Sequence, residues 1–233
     1  MSKSIVYMIP SFIDETALHT IPASVLDAVK KCSVIFAENE RSTRRFLKAL
    51  DRNIVIDDFE WFTIHKTEAE QTNNFKNKIK EGKNIAVISE AGCPGIADPG
   101  QILAEVAQQM NVTVKPIVGP SSILLALMAS GLNGQQFQFN GYLPIDSNER
   151  NIKIKQLEDE SKKKKCTQIF IETPYRNNQI LEALLKQCND ATLICVASEI
   201  TSERENIKTK AVSKWKKEPV DLHKKPVIFL MLA

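Results

Sequence analysis

Short apolar runs alternate through the first half of the chain with segments whose apolar residues recur at helical spacing. Ile5–Ile9 is predicted as a strand and Ala23–Lys31 as a helix entered through Pro22. Ser33–Ala37 is the next strand, followed by a helix across Arg41–Leu50. A polar helix over Glu68–Glu81 ends at Gly82, a residue type suited to a left-handed cap. Asn84–Ser89 is the strongest strand signal of this half, rich in β-branched residues and bounded by turn formers. A helix over Ile102–Met110, a strand at Val112–Ile117 and a helix over Ser122–Ser130 complete the half. Strands alternating with helices at this spacing predict a mainly parallel α/β sheet.

The second half has a different texture. Gln136–Tyr142 alternates like an antiparallel strand, and Asn148–Lys164 is a polar, charge-laced helix. Gln168–Glu172 is a strand, Asn177–Gln187 a helix and Thr192–Ala197 a strand, with Asn206–Ala211 and Pro226–Leu232 expected as a closing antiparallel pair. Two prolines and a glycine interrupt the pattern at Pro116–Pro120, which places the domain boundary there: residues 1–117 with a mainly parallel sheet, 118–233 with a mixed one. There is no internal repeat, and the run Lys162–Lys165 is read as a solvated helix end.

Composition narrows the class. With 233 residues, 43% hydrophobic and 25% charged, the chain can bury two cores, which excludes a disulfide-stapled miniprotein and a disordered polymer. No apolar stretch nears the roughly 20 residues of a membrane span, and the start breaks at Pro10, too soon for a signal-peptide core. A soluble, cytoplasmic protein that contacts no membrane is expected. Five cysteines, odd in number and without a C-x-x-C pair, suit reduced thiols. His19, His65 and His223 stand alone, so neither a metal site nor a Ser-His-Asp triad has support. A net charge of +3 neither announces a nucleic-acid binder nor excludes one.

Glycine carries the chemistry. Seven of the eight glycines fall between Gly92 and Gly141, three of them within Ser89–Gly100, a loop that leaves the Asn84–Ser89 strand and enters a helix. Glycines at the carboxyl end of a strand let backbone N–H groups approach a ligand, and prolines fix the path of the loop. A tight strand-to-helix connection is the plainer reading of the same residues. Neither the dinucleotide nor the triphosphate glycine motif is present. In Ile117–Ser122, Ser121 or Ser122 can cap the following helix, bind polar atoms of a ligand, or do both.

Taken in order, SEAGCPGIADPG, VGPSSILLALMASGL, QFQFNGYLP and QIFIETPYR resemble the landmarks of the tetrapyrrole-methylase superfamily of S-adenosylmethionine methyltransferases. AENERSTRRFL is similar to the stretch found after the second strand in the branch that methylates a cytidine 2′-O-ribose of bacterial small-subunit rRNA. The resemblance spans about Ile5 to Leu232. It implies two α/β domains with S-adenosylmethionine in the cleft between them, an RNA or small ribosomal subunit as acceptor, and a homodimer. Carried over, the donor site comprises Pro10, Ser89, Glu90, Ala91, Gly92, Cys93, Ile96, Ser121 and Ser122, with Glu172, Thr173, Ala197, Lys210 and Pro226 from the second domain. Alternatives are a tetrapyrrole or other small acceptor, and a binding module that does not turn over.

Three departures from the family pattern stand out: the bulky loop Ile9–Glu15 without glycine, Glu90 in place of the usual aspartate, and Cys93 before the proline. The C-terminal extension of the rRNA branch is expected to be lacking. A ribose hydroxyl is a poor nucleophile, so a carboxylate should help remove its proton. Glu38, Glu40, Glu90, Asp98 and Glu199 are the candidates, Glu38 with Arg41 foremost. Arg44, Arg45 and Arg176, with Arg150 and Lys153, are expected to form a basic rim for phosphates. Cys93 has no neighbouring histidine and is not expected to act as a nucleophile.

Overall fold

The computed structural model describes residues 4–64 and 68–233, so His65 and the first three residues lie outside the described residues. Its contacts fall into two units, 1–121 and 122–233. No helix among the described residues is long and apolar enough to cross a membrane.

In the first unit the strands are β1 (Ile5–Ile9), β2 (Val34–Ala37), β3 (Glu60–Thr63), β4 (Ile85–Ile88) and β5 (Thr113–Pro116). The helices are α1 (Ala23–Val29), α2 (Glu40–Leu50), α3 (Thr72–Lys80) and α4 (Gln101–Gln109). The strands form one sheet in the order β3-β2-β4-β1-β5 with every pair parallel. β2 and β4 are buried at each position, because helices cover both faces. Tyr7, Ile9, Ile35 and Ile88 point to α1 and α2, while Val6, Phe36, Ile85 and Val87 point to α3 and α4. The expected polar helix begins as a 3₁₀ turn at Glu68–Gln71 before α3, and Gly82 closes it at φ 73°. β3, a short edge strand, was not expected.

In the second unit the elements are α5 (Ser122–Ser130), β6 (Phe137–Tyr142), α6 (Ser147–Lys164), β7 (Thr167–Ile171), α7 (Asn177–Gln187), β8 (Leu193–Ser198), β9 (Asn206–Ala211), α8 (Val212–Trp215) and β10 (Val227–Leu232). The sheet order is β6-β7-β10-β8-β9. Two expectations are corrected. β6 pairs with β7 in parallel, because the long α6 crossover returns the chain to the same end of the sheet. β9 and β10 do not pair with each other; β8 lies between them, antiparallel to both. The buried run of β10 makes it a central strand, where Phe229 stacks on Phe170 of β7 at 5.8 Å between ring centroids. Trp215 closes this core and donates its indole N–H to the Ile194 carbonyl at 2.9 Å. Phe229 is fully buried. Phe229→Ala should therefore cost about 3–5 kcal/mol, measured as a lowered midpoint in urea unfolding of the full chain.

Candidate active site

β1 and β4 are neighbours in the first sheet, yet β1 leads to α1 on one face and β4 to α4 on the other. Their carboxyl ends therefore frame a switch point, where an open α/β sheet leaves room for a ligand. The two connections are clasped together there. The Ser11 N–H donates to the Gly92 carbonyl at 2.9 Å, and the Ser11 hydroxyl donates to the Ser89 carbonyl at 3.1 Å. The Ser89 hydroxyl closes the set on the Gly92 carbonyl at 3.0 Å, with both serines buried. Gly92 holds φ 73°, which L side chains rarely adopt.

The glycine missing from the first loop is replaced from across the site. A Cβ on Gly119 would lie 2.2 Å from the Pro10 ring, so the bare backbone at Gly119 is what admits Pro10. Phe12, the bulky residue of that loop, turns away and meets Phe46 edge-on at 5.2 Å. The bend from Ser89 onward stays poor in side chains. Gly92 pairs with Ser11 as an isolated antiparallel bridge, whereas the N–H groups of Ala91 and Cys93 on either side have no acceptor among the described residues. Main-chain donors of this kind suit a carboxylate or other polar ligand group. Ala91 and Ile96 are exposed beside them, Ile96 by 55%. The Cys93 thiol is 3.4 Å from the Pro120 carbonyl, and burial, then Asp98, pushes its pKa up, which keeps it protonated. It is no nucleophile.

Carboxylates line the neighbouring strand ends. One Glu38 oxygen accepts from the Glu90 N–H at 2.8 Å, and Asn39 donates to the Glu90 carboxylate at 3.1 Å. Asn39 also caps α2, accepting from the N–H groups of Arg41 and Ser42. Asp98 sits within the field of both glutamates; burial first, then Glu38 and Glu90, push its pKa up to about 7. Arg41 is exposed and makes no ion pair with Glu38 among the described residues. Glu40 pairs with Arg44 at 2.6 Å and Glu199 with Arg204 at 2.9 Å. Ser121 and Ser122 are half-buried, and Ser122 opens α5. Ser11 and Asn39 were not anticipated as parts of the site; an Asn just before a helical run is a capping signal that marks one of them. Among the described residues, no group of three or more His, Cys, Asp and Glu is placed to hold a metal ion.

The expected basic rim does not stand free. Arg44 is bound to Glu40 and lies 5.1 Å from the Trp61 ring centroid, and Arg45 pairs with Glu15 at 3.0 Å. Arg150 is buried and donates to the Ile145 carbonyl at 2.9 Å, while Lys153 is half-buried. Arg176 pairs at 3.1 Å with Glu172, whose buried carboxylate also accepts from the Thr173 N–H at 2.7 Å. Taking Arg176 away would strand a buried charge. Glu172, Thr173 and Pro226 share one end of the second sheet, and Ala197 is buried one position inside it. Lys210 does not join them. It lies opposite Ile194, four positions along β8 from Ser198, or about 13 Å at strand rise, and is bound to Glu218 and the Trp215 ring.

Comparison with known proteins bears on this geometry. The chain is 29% identical over 234 residues to ribosomal RNA small subunit methyltransferase I of Escherichia coli O157:H7, covering 99% of this chain and 78% of that protein. It is 31% identical over 204 residues to the protein of the same name from Vibrio cholerae serotype O1, covering 87% and 67%. In fold it resembles the methyltransferase CobJ, with a TM-score of 0.67 at 13% identity over 99% of this chain and 94% of that one. It also resembles the uroporphyrin-III-C-methyltransferase of Thermus thermophilus, with a TM-score of 0.57 at 15% identity over 99% and 92%. The family model of the tetrapyrrole (corrin/porphyrin) methylases matches residues 17–214. With most of its length matched by that model, the chain belongs to the tetrapyrrole (corrin/porphyrin) methylase family and is a methyltransferase.

Proposed function

We propose that the protein transfers a methyl group from S-adenosylmethionine to a ribose hydroxyl of small-subunit rRNA. The observation that carries the donor half is the clasped bend at Gly92, with the main-chain N–H groups of Ala91 and Cys93 facing no protein acceptor among the described residues. The names of the relatives carry the acceptor half.

Ala91 and Cys93 would hold the donor through their N–H groups, with Gly92 shaping the bend and Ile96 and the Pro10–Gly119 contact supplying apolar wall. When bound, S-adenosylmethionine supplies a methyl already activated on a positively charged sulfur. The protein's own tasks are then to align the acceptor, exclude water and take up one proton. Asp98, titrating near neutrality, is the group at this site suited to accept that proton at its carboxylate. Glu38 and Glu90 act on Asp98 through their charge, and the Glu38 to Glu90 N–H bond keeps both in position. A homodimer acting in the cytoplasm completes the reading.

Gly92→Val should lower donor affinity at least tenfold in calorimetry while circular dichroism shows the fold retained; undiminished affinity would remove the bend from the donor site. Labelled methyl transfer into small ribosomal subunits, with a tetrapyrrole acceptor in parallel, tests the substrate; label in the tetrapyrrole alone overturns the rRNA assignment. Asp98 also gives the rate a pH signature. Below about 7 the carboxyl is protonated and cannot accept a proton, so the rate should rise with pH and level off above about 7. Asp98→Asn should lose at least a hundredfold in rate. Stability should move the other way. The raised pKa means the native state favours neutral Asp98, so its contribution is full below the ordinary carboxylate value and is lost as pH rises through about 7. The asparagine variant should therefore melt higher than the parent at pH 8 and alike at pH 4.

A further inference from the structure

The chain's charge is unevenly placed. Between Arg204 and Lys225 stand eight Lys or Arg against three Asp or Glu, a surplus of five in a protein whose total surplus is three. Local pairing neutralises part of it: Arg204 meets Glu199, Lys210 meets Glu218 and Lys216 meets Asp190. Lys208, Lys214, Lys217 and Lys224 are exposed and form no ion pair among the described residues. Two of them, Lys208 and Lys224, line two adjoining cavities of the second unit. One, of about 460 Å³, is bounded by Arg204, His223, Lys224 and Lys225; the other, of about 470 Å³, lies over Lys208 and Lys210. They share Ser198, Asn206, Val220 and Leu222, so together they make one continuous trough.

An aromatic ring stands at one end of the trough. Tyr175 is 69% exposed, and its one ring contact among the described residues is with His223, edge-on at 6.2 Å between centroids. The loop that carries it is tied to the cationic loop. The Lys224 N–H donates to the Pro174 carbonyl at 3.0 Å, and the Asn177 side chain donates to the Lys225 carbonyl at 2.7 Å. Tyr175 is thus held beside Lys224 with its ring bare, which costs hydrophobic free energy unless a partner covers it.

We propose that this face, formed by Tyr175, Arg204, Lys208, His223, Lys224 and Lys225, binds a single-stranded segment of RNA. Unpaired lysines along a trough match a phosphate backbone in charge without reading sequence. A bare ring at the end of the trough takes an unstacked base, which a duplex cannot offer. The proposal rests on the reading of the acceptor as rRNA, and adds the surface that would hold it.

The test uses the full chain and a fluorescently labelled short single-stranded RNA, with affinity measured across a salt series. Lys208→Ala with Lys224→Ala should weaken binding about tenfold and reduce the slope of log affinity against log salt by about 1.4, two phosphate contacts' worth on a single strand. Tyr175→Ala should weaken it about five- to hundredfold with the slope unchanged, and Tyr175→Phe should restore it. Calorimetry with S-adenosylmethionine should give the parent's affinity in every variant, which separates this face from the donor site. Binding of RNA unaltered by these substitutions overturns the proposal, and if methyl transfer to small subunits persists, the functional reading stands without it. Loss of RNA binding in the variants of a protein that labels only a tetrapyrrole leaves the RNA face standing and sinks the functional reading. If polyglutamate binds as tightly as RNA and Tyr175→Ala changes neither, the trough is a seat for an acidic protein and the RNA proposal fails.

Discussion

The site depends on one backbone constraint: the chain must turn at the end of β4 with no side chain in the way, so that the connection from β1 can be sewn onto it. Gly92 satisfies this at φ 73°, where an L-residue would be strained by about 1–2 kcal/mol. Its carbonyl takes two hydrogen bonds, from the Ser11 N–H and the Ser89 hydroxyl. With that carbonyl engaged twice, the N–H groups of Ala91 and Cys93 on either side of Gly92 have no acceptor among the described residues. A single dihedral angle thus separates the two roles of one peptide segment, acceptors for the fold and donors for a ligand.

The same bend organises the charges. Because Glu90 follows Ser89 directly, fixing the bend places the Glu90 N–H on Glu38 and its carboxylate on Asn39. Asp98, later in the loop, then faces two carboxylates from a partly buried position. Like charges in a partly desolvated place hold a proton more tightly than each would alone. The shifted Asp98 is therefore a consequence of the turn, and so is the availability of a proton acceptor near neutral pH.

How much of this was legible depended on what each signal encodes. The first sheet was readable because strands covered on both faces show as unbroken apolar runs, as in Ile85–Ile88. β3, with Glu60, Trp61, Phe62 and Thr63 at an edge, is only partly covered and shows no such run. The alternation of Gln136–Tyr142 said that one face is half-covered, which is true of an edge strand in either direction, and parallel pairing was decided by the crossover through α6. Likewise β9 and β10 were recognisable as strands, but the insertion of β8 between them leaves no local mark. The glycine loop stood out by composition. Ser11 did not, because its role is defined by a partner 78 residues away.

The arginines show why charge read along the chain misplaced the cationic surface. Their partners, Glu15 for Arg45 and Glu172 for Arg176, are set by folding, and a guanidinium fits a carboxylate well enough to be held there. Arg176 is part of the internal wiring, and Arg44 and Arg45 belong to exposed pairs that contribute little. What remains unpaired along the trough, among the described residues, is lysine, a point charge on a flexible stem that holds a phosphate without fixing its orientation. A surface of that kind supplies affinity and no register. Choice of acceptor atom must then come from rigid parts of the protein, of which the fixed backbone at Gly92 is one.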